Sequence, residues 1–184
     1  MKNIYSADLE VMREVRITEL NELKRLLPEA LDYLPVNVIK LLLPSVTLSI
    51  CKIPLAEYTP YASGVLRAAE QILVMILSKY NFVDADGKII DFQNEEFGKL
   101  FLYNKKTHYY YMSRQNIELL GSPKFGRVLC TYYNTFKSYR NRYFHSRCKN
   151  CRSIPRIKLI EHASKIIEQM LACINLAVDF VKED

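Results

Sequence analysis

The stretch YASGVLRAAEQILVMILSKY, residues 61–80, is apolar over most of its circumference when wound as an α-helix. A helix of that kind is buried on several sides at once, so it is expected at the centre of a bundle. Pro60 suits a first-turn position, and Thr59 before it is a plausible N-cap. Beyond this helix, Asp84-Ala85-Asp86-Gly87 reads as a turn, and KIIDF (88–92) as a strand or a loop segment. Residues 93–121 suggest one or two short helices with a polar, Tyr-rich break at YNKKTHYYYMSR. Ser122-Pro123 then opens a second long helix, cap followed by proline. Its Phe125, Leu129, Tyr132, Phe136, Tyr139 and Tyr143 recur at spacings 4, 3, 4, 3, 4, a continuous helical stripe that should end near His145–Ser146. A basic loop, SRCKNCRS, leads to Pro155 and a third long helix with Ile157, Ile160, Ile167, Met170, Ile174, Ala177 and Val181 on one face.

Towards the N-terminus, residues 8–26 read as a charged amphipathic helix. LPEALDYLPVNVIKLLL (27–43) gives one or two short helices punctuated by Pro28, Pro35 and Pro44, and the β-branched SVTLSICKIPL (45–55) is extended or a loop. Three long helices with few or no strands make the expected fold all-α, an antiparallel bundle with short additional N-terminal helices. The expected division is an N-terminal helical extension, 1–57, packed on a domain spanning 58–184.

The 184 residues, half of them apolar, suffice for one core without disulfide or metal. Low Gly (5) and Pro (7) argue against a linker-rich chain. No apolar run reaches the ~20 residues that span a bilayer, and MKNIYSADLEVMREVR lacks the apolar stretch of a signal peptide, so a cytoplasmic, non-membrane protein is expected. Five scattered cysteines read as reduced thiols, three of them within apolar runs. The net charge of +6 is compatible with a nucleic-acid partner without proving one.

Two features need a chemical explanation. Arg67 and Glu70 lie in the middle of the most apolar helix, although charged groups are seldom buried unless paired. A plain account is an Arg67–Glu70 pair at i,i+3 that reaches the surface. The second feature is RNRYFH, Arg140 to His145. An Arg and a His five apart occur by chance in many chains, but here they stand at the C-terminal end of a bundle helix, before a loop and the last long helix.

RNRYFH resembles the R-x4-H motif of HEPN-superfamily ribonucleases, in the form where Asn follows Arg. With Y-x-P-Y-x-x-G-V-L-R-A-x-E (58–70), LPEALDYLP (27–35) and RYFHSR, the chain resembles the C-terminal toxin domain of RNase LS, a bacterial toxin–antitoxin endoribonuclease, over roughly residues 24–184. The resemblance implies a HEPN-like bundle and a catalytic set of Glu70, Arg140 and His145. It also implies a cognate antitoxin as partner and a place in anti-phage defence. Family members carry further N-terminal domains, where this chain has a short helical stretch.

The chemistry suits these residues. RNA cleavage without metal uses the substrate's 2′-OH as nucleophile and leaves a 2′,3′-cyclic phosphate and a 5′-OH. His145 titrates near neutrality, as a proton acceptor and donor must. Arg140 stays charged and offers a fork that matches phosphate oxygens in the transition state. Glu70 would orient Arg140 or the imidazole. Asn141, Arg142 and Arg147 are the expected substrate-binding residues. No carboxylate cluster suggests a catalytic Mg²⁺, so neither metal nor other cofactor is expected.

A helix turns ~100° per residue, so residues five apart diverge by ~140°. Arg140 and His145 therefore share no face of an unbroken helix, while Asn141 and His145 do. Either the helix ends near Phe144 or two chains build one cleft. The HEPN resemblance favours the homodimer.

Other signals have plainer readings. His145-x2-Cys148-x2-Cys151 has spacings a zinc site uses, but no fourth ligand is evident beyond the candidate His162, zinc would occupy the catalytic imidazole, and free thiols are the better reading. Tyr109, Tyr110 and Tyr111 suit stacking on RNA bases, although packing is the commoner use of tyrosine. Arg142, Arg147, Lys149, Arg152 and Arg156 gather beside the motif and favour phosphate contact over a merely solvated face. His108 and His162 have no evident partner in the sequence. The competing functions are a non-catalytic HEPN-like module, which pairs with a nucleotidyltransferase or an antitoxin, and a helical adaptor. The Glu70, Arg140, Asn141 and His145 set favours the enzyme.

Overall fold

The structure, a computed structural model, describes residues 17–51, 54–92, 97–144 and 156–182, with the side chains of 49, 144 and 182 left aside. Among the described residues there are six α-helices: α1, whose described part is 17–26, α2 (Val36–Cys51), α3 (Thr59–Leu77), α4 (Arg114–Leu119), α5 (Pro123–Phe144) and α6 (Ile160–Lys182). Short 3-10 turns lie at Leu31–Tyr33 and Phe97–Lys99, and strands β1 (Phe101–Asn104) and β2 (Tyr109–Met112) form an antiparallel hairpin. The expected all-α bundle is present, with one two-stranded sheet among the described residues.

The apolar 61–80 stretch forms α3, and ten of its residues are buried. α2 runs antiparallel to it: Asn37 meets Gln71 at one end, and the Ser45 hydroxyl donates to the Tyr61 carbonyl at the other. α5 also opposes α3, with Phe125 beside Tyr80 and the buried Tyr132 hydroxyl donating to the Ala69 carbonyl at 2.9 Å. α6 opposes α5, because Phe180 stacks on Phe125 and Gln169 accepts from Tyr139. α3 and α6 are therefore parallel, and their starts are tied together. The Tyr58 N–H donates to the Ile157 carbonyl, and the Ile157 N–H donates to Thr59 Oγ1.

That last bond changes the expected cap of α3. Tyr58 occupies the N-cap position and makes no side-chain cap bond, while the Thr59 hydroxyl oxygen accepts from the neighbouring chain segment. Ser122 does cap α5, accepting from the Phe125 N–H at 3.2 Å. The Asp84–Gly87 turn forms as read. Asp84 Oδ1 accepts from the Asp86 and Lys88 N–H groups, and Gly87 takes φ +80, which a Cβ would strain. The bond from Lys88 is the main reason the Asp84 carboxyl is held below its usual range.

Two segments depart from the sequence reading. Residues 36–51 form one helix through Pro44 and through the start of the β-branched run expected to be extended or a loop. Pro44 withholds the N–H that would bond to the Lys40 carbonyl, a local cost. Against it, Val38, Leu42, Ser45 and Val46 make a buried helical stripe facing α3. Close approach is possible because residue 64 is glycine: a Cβ there would lie 2.4 Å from the Leu41 carbonyl oxygen. In the 93–121 region the expected short helices are present at Phe97–Lys99 and Arg114–Leu119, and the Tyr-rich break between them is a β-hairpin. Asn104 Oδ1 turns the chain by accepting from the Lys106 and Thr107 N–H groups. Asn134 of α5 then satisfies the free edge of β2, accepting from the Tyr110 N–H and donating to its carbonyl, both at 2.8 Å. Phe101 stacks on Tyr133 beneath the sheet, with centroids 4.1 Å apart.

Of the cysteines within apolar runs, Cys130 is buried and Cys173 half-buried, while Cys51 at the end of α2 is exposed. Among the described residues no helix is long and apolar enough to cross a membrane.

Candidate active site

Glu70 lies on α3 and Arg140 on α5, 70 positions apart in sequence. The antiparallel packing of the two helices brings Arg140 Nη2 to 3.1 Å from Glu70 Oε1. Their side chains keep 32% and 35% of their surface, so the pair lies at the rim of the core rather than within it. This replaces the i,i+3 partner considered above: Arg67 is exposed, and Arg140 holds the Glu70 carboxylate. Both charges within the apolar helix are thereby placed, Glu70 as one half of an interhelical contact and Arg67 in solvent.

Arg140 has a second restraint. Its guanidinium carbon lies 5.6 Å from the centre of the Phe136 ring, one turn earlier on α5. A carboxylate at one edge and an aromatic face beneath fix the guanidinium plane. A guanidinium has five N–H donors, so several remain for a bound anion. Phe136 was legible in the sequence only as part of the packing stripe. Its i,i+4 spacing to Arg140 is the signal that gives it the additional role.

The other candidate residues are placed as follows. Asn141 is exposed one position further on, about 100° around the helix from Arg140. Arg142 is exposed, with its guanidinium 5.4 Å above the Tyr143 ring. α5 is helical as far as Phe144. His145 and Arg147 lie outside the described residues, as do Cys148, Lys149, Cys151 and Arg152. Arg156, grouped with them by sequence, forms an ion pair with Glu57 at 3.3 Å. His162 is exposed. His108, read as lacking a partner, shares a 2.8 Å hydrogen bond through Nδ1 with the Tyr103 hydroxyl and takes a positive φ of 53°.

The seam beside the pair is rich in phenols. Tyr139 donates to Gln169, and partial burial is the main reason its pKa is raised. Tyr132, fully enclosed, is raised well above the ordinary value for the same reason. Neither phenol is poised as a base at neutral pH. Among the described residues no group of three or more His, Cys, Asp or Glu side chains could hold a metal ion. What this arrangement offers chemically is an oriented, permanently charged anion binder at the end of α5.

The chain matches the family model described as RNase LS, bacterial toxin DBD domain, over residues 16–147. The match begins ahead of the 24–184 range of the resemblance drawn from the sequence and includes Glu70, Arg140 and His145. Among solved structures the chain is similar to the Escherichia coli toxin LsoA, determined in complex with the T4 phage antitoxin Dmd. The TM-score is 0.68 and the sequence identity 21% over 88% of this chain. At that identity the likeness concerns the fold. The chain spans 59% of the length of that toxin chain. No curated protein matches.

Proposed function

The chain belongs to the RNase LS bacterial toxin family, and from that premise we propose that it is a metal-independent endoribonuclease of the HEPN type. The observation that carries the reading is the Glu70–Arg140 pair, which orients the first residue of the R-x4-H motif from a different helix. Arg140 binds the scissile phosphate and stabilises the charge that develops on its oxygens. Glu70 is the positioning residue for Arg140. His145 exchanges the protons of the 2′-OH and the leaving 5′-oxygen, and Asn141, Arg142 and Arg147 hold neighbouring phosphates. A helix continued through His145 would set it ~140° from Arg140, and on that ground the complete cleft is assigned to two chains about a two-fold axis.

In this reading the protein is a cytoplasmic toxin. A cognate antitoxin restrains it by covering the cleft, as befits a fold shared with a toxin determined in an antitoxin complex. Residues 58–184 form the ribonuclease unit and 1–57 its extension. The test is cleavage of a labelled RNA by purified protein in EDTA. The expected products carry 2′,3′-cyclic phosphate ends, and the His145→Ala variant is expected to lose roughly 10²–10⁴ in rate. Activity that requires metal, or a fully active His145→Ala protein, would overturn the mechanism. Mixing Arg140→Ala with His145→Ala chains tests the composite cleft, since regained activity requires residues from two chains.

A further inference from the structure

The β1–β2 hairpin has a face that the core does not use. Cross-strand register puts Leu102 opposite Tyr111 and Asn104 opposite Tyr109, so these four side chains share the side away from Phe101 and Met112. Tyr109 and Tyr111 are 42% and 45% exposed, unusual for two phenols on a strand whose other aromatic, Tyr110, packs edge-on against Tyr133. They are two residues apart, so their attachment points are separated by about 6.8 Å along the strand. The turn joining the strands carries the exposed Lys105 and Lys106.

The hairpin is held rigidly to α5. Asn134 clamps the β2 edge, and the Tyr109 hydroxyl donates to Thr131 Oγ1 at 3.3 Å. From Thr131 the outward side of α5 continues through the exposed Ser138 and Asn141. Nine residues of helix separate Thr131 from Arg140, a rise of about 14 Å. Aromatic faces, a cationic tip and a polar helix side thus run towards the end of α5, where Arg140 itself lies ~180° around the helix from Thr131.

We propose that this hairpin face is a stacking platform for single-stranded RNA, with one base on each of Tyr109 and Tyr111 and Lys105 and Lys106 beside the backbone. The inference rests on the ribonuclease reading and names its substrate class. Exposed phenols on strands accept unpaired bases, whereas a duplex keeps its base faces covered. Recognition by stacking tolerates different bases, so the platform selects strand state rather than sequence.

The chain has no Trp, so Tyr111→Trp introduces a single fluorescent reporter. The expected result is quenching by a short single-stranded RNA and not by a blunt duplex of the same sequence. In anisotropy measurements on the otherwise native protein, Tyr109→Ala with Tyr111→Ala removes two stacked bases and is expected to raise Kd for that strand at least roughly 30-fold. Tyr109→Phe with Tyr111→Phe retains the rings and is expected to bind as the native chain does. Unquenched Trp in a protein that still binds and cleaves RNA would overturn the platform and leave the ribonuclease reading standing. Quenching by RNA in a chain that cuts nothing would support the platform and count against the nuclease. Equal Kd for the Ala and native chains, or a change in oligomeric state as the sole effect of the Ala pair, would also overturn it, the latter by showing a protein contact surface.

Discussion

Two carboxylates approach the core of this protein and are satisfied in different ways. Glu70 on α3 meets a full positive charge, Arg140, at a rim where both side chains keep about a third of their surface. Glu19 on α1 is only 8% exposed, and it accepts from a neutral hydroxyl, that of Thr47 on α2. Thr47 also approaches the Leu43 carbonyl at 3.0 Å and has one proton to give. Lys40, Leu43, Pro44 and Tyr61 line the groove beside Glu19. A half-exposed ion pair contributes about 0–1 kcal/mol to stability after solvent screening, whereas a buried carboxylate deprived of its donor costs more. The Glu70 pair is therefore a weak fastener and a good positioner, and the Glu19 contact is the reverse.

That contrast is broken most directly at Arg140. Arg140→Ala is expected to lower RNA cleavage by roughly 10²–10³-fold. Thermal melting should change by no more than a weak surface pair predicts. A large drop in Tm, or unchanged cleavage, would show that the pair serves the fold instead. At the other region the α2–α3 contact is the sensitive point. Gly64→Ala forces a methyl group into the Leu41 carbonyl, and overpacking of that kind costs about 1–3 kcal/mol. Chemical denaturation should show the midpoint move by that amount; an unchanged midpoint means the helices separate freely.

Thr47→Val sharpens the Glu19 side by removing the carboxylate's donor while keeping the shape. A loss of about 1–2 kcal/mol is expected, with cleavage per folded molecule unchanged. Reduced cleavage at full folding would tie Glu19 to the active site. The smallest effect concerns alkaline pH. Burial holds the folded Tyr132 phenol neutral well above its ordinary value of 10.0. In the unfolded chain that phenol ionises first, so the stability it contributes is complete below about pH 10 and is lost as pH rises beyond it. Tyr132→Phe should flatten the alkaline decline in stability by up to one proton's slope, read from denaturation midpoints between pH 9 and 11, and an unaltered slope would place the dependence on other groups.

The sequence by itself determined the frame. The circumference of 61–80, the stripe from Phe125 to Tyr143 and the apolar face of the last helix are local periodicities, and burial enforces them whatever the neighbours are. RNRYFH was legible for the same reason, as adjacent residues at the end of a periodic helix. Tertiary structure alone decided the remainder. Glu70 had Arg67 within reach by sequence, and only the packing of α3 against α5 supplied Arg140 as its partner. Pro44 and the β-branched run from Ser45 onward disfavour helix locally, yet the stripe they form against Gly64 is buried along α3 and outweighs that preference. The tyrosine cluster at 109–111 became a strand because Asn134 of α5 bonds its edge. In each case the deciding energy comes from a residue distant in the chain, and spacing along the sequence cannot encode it.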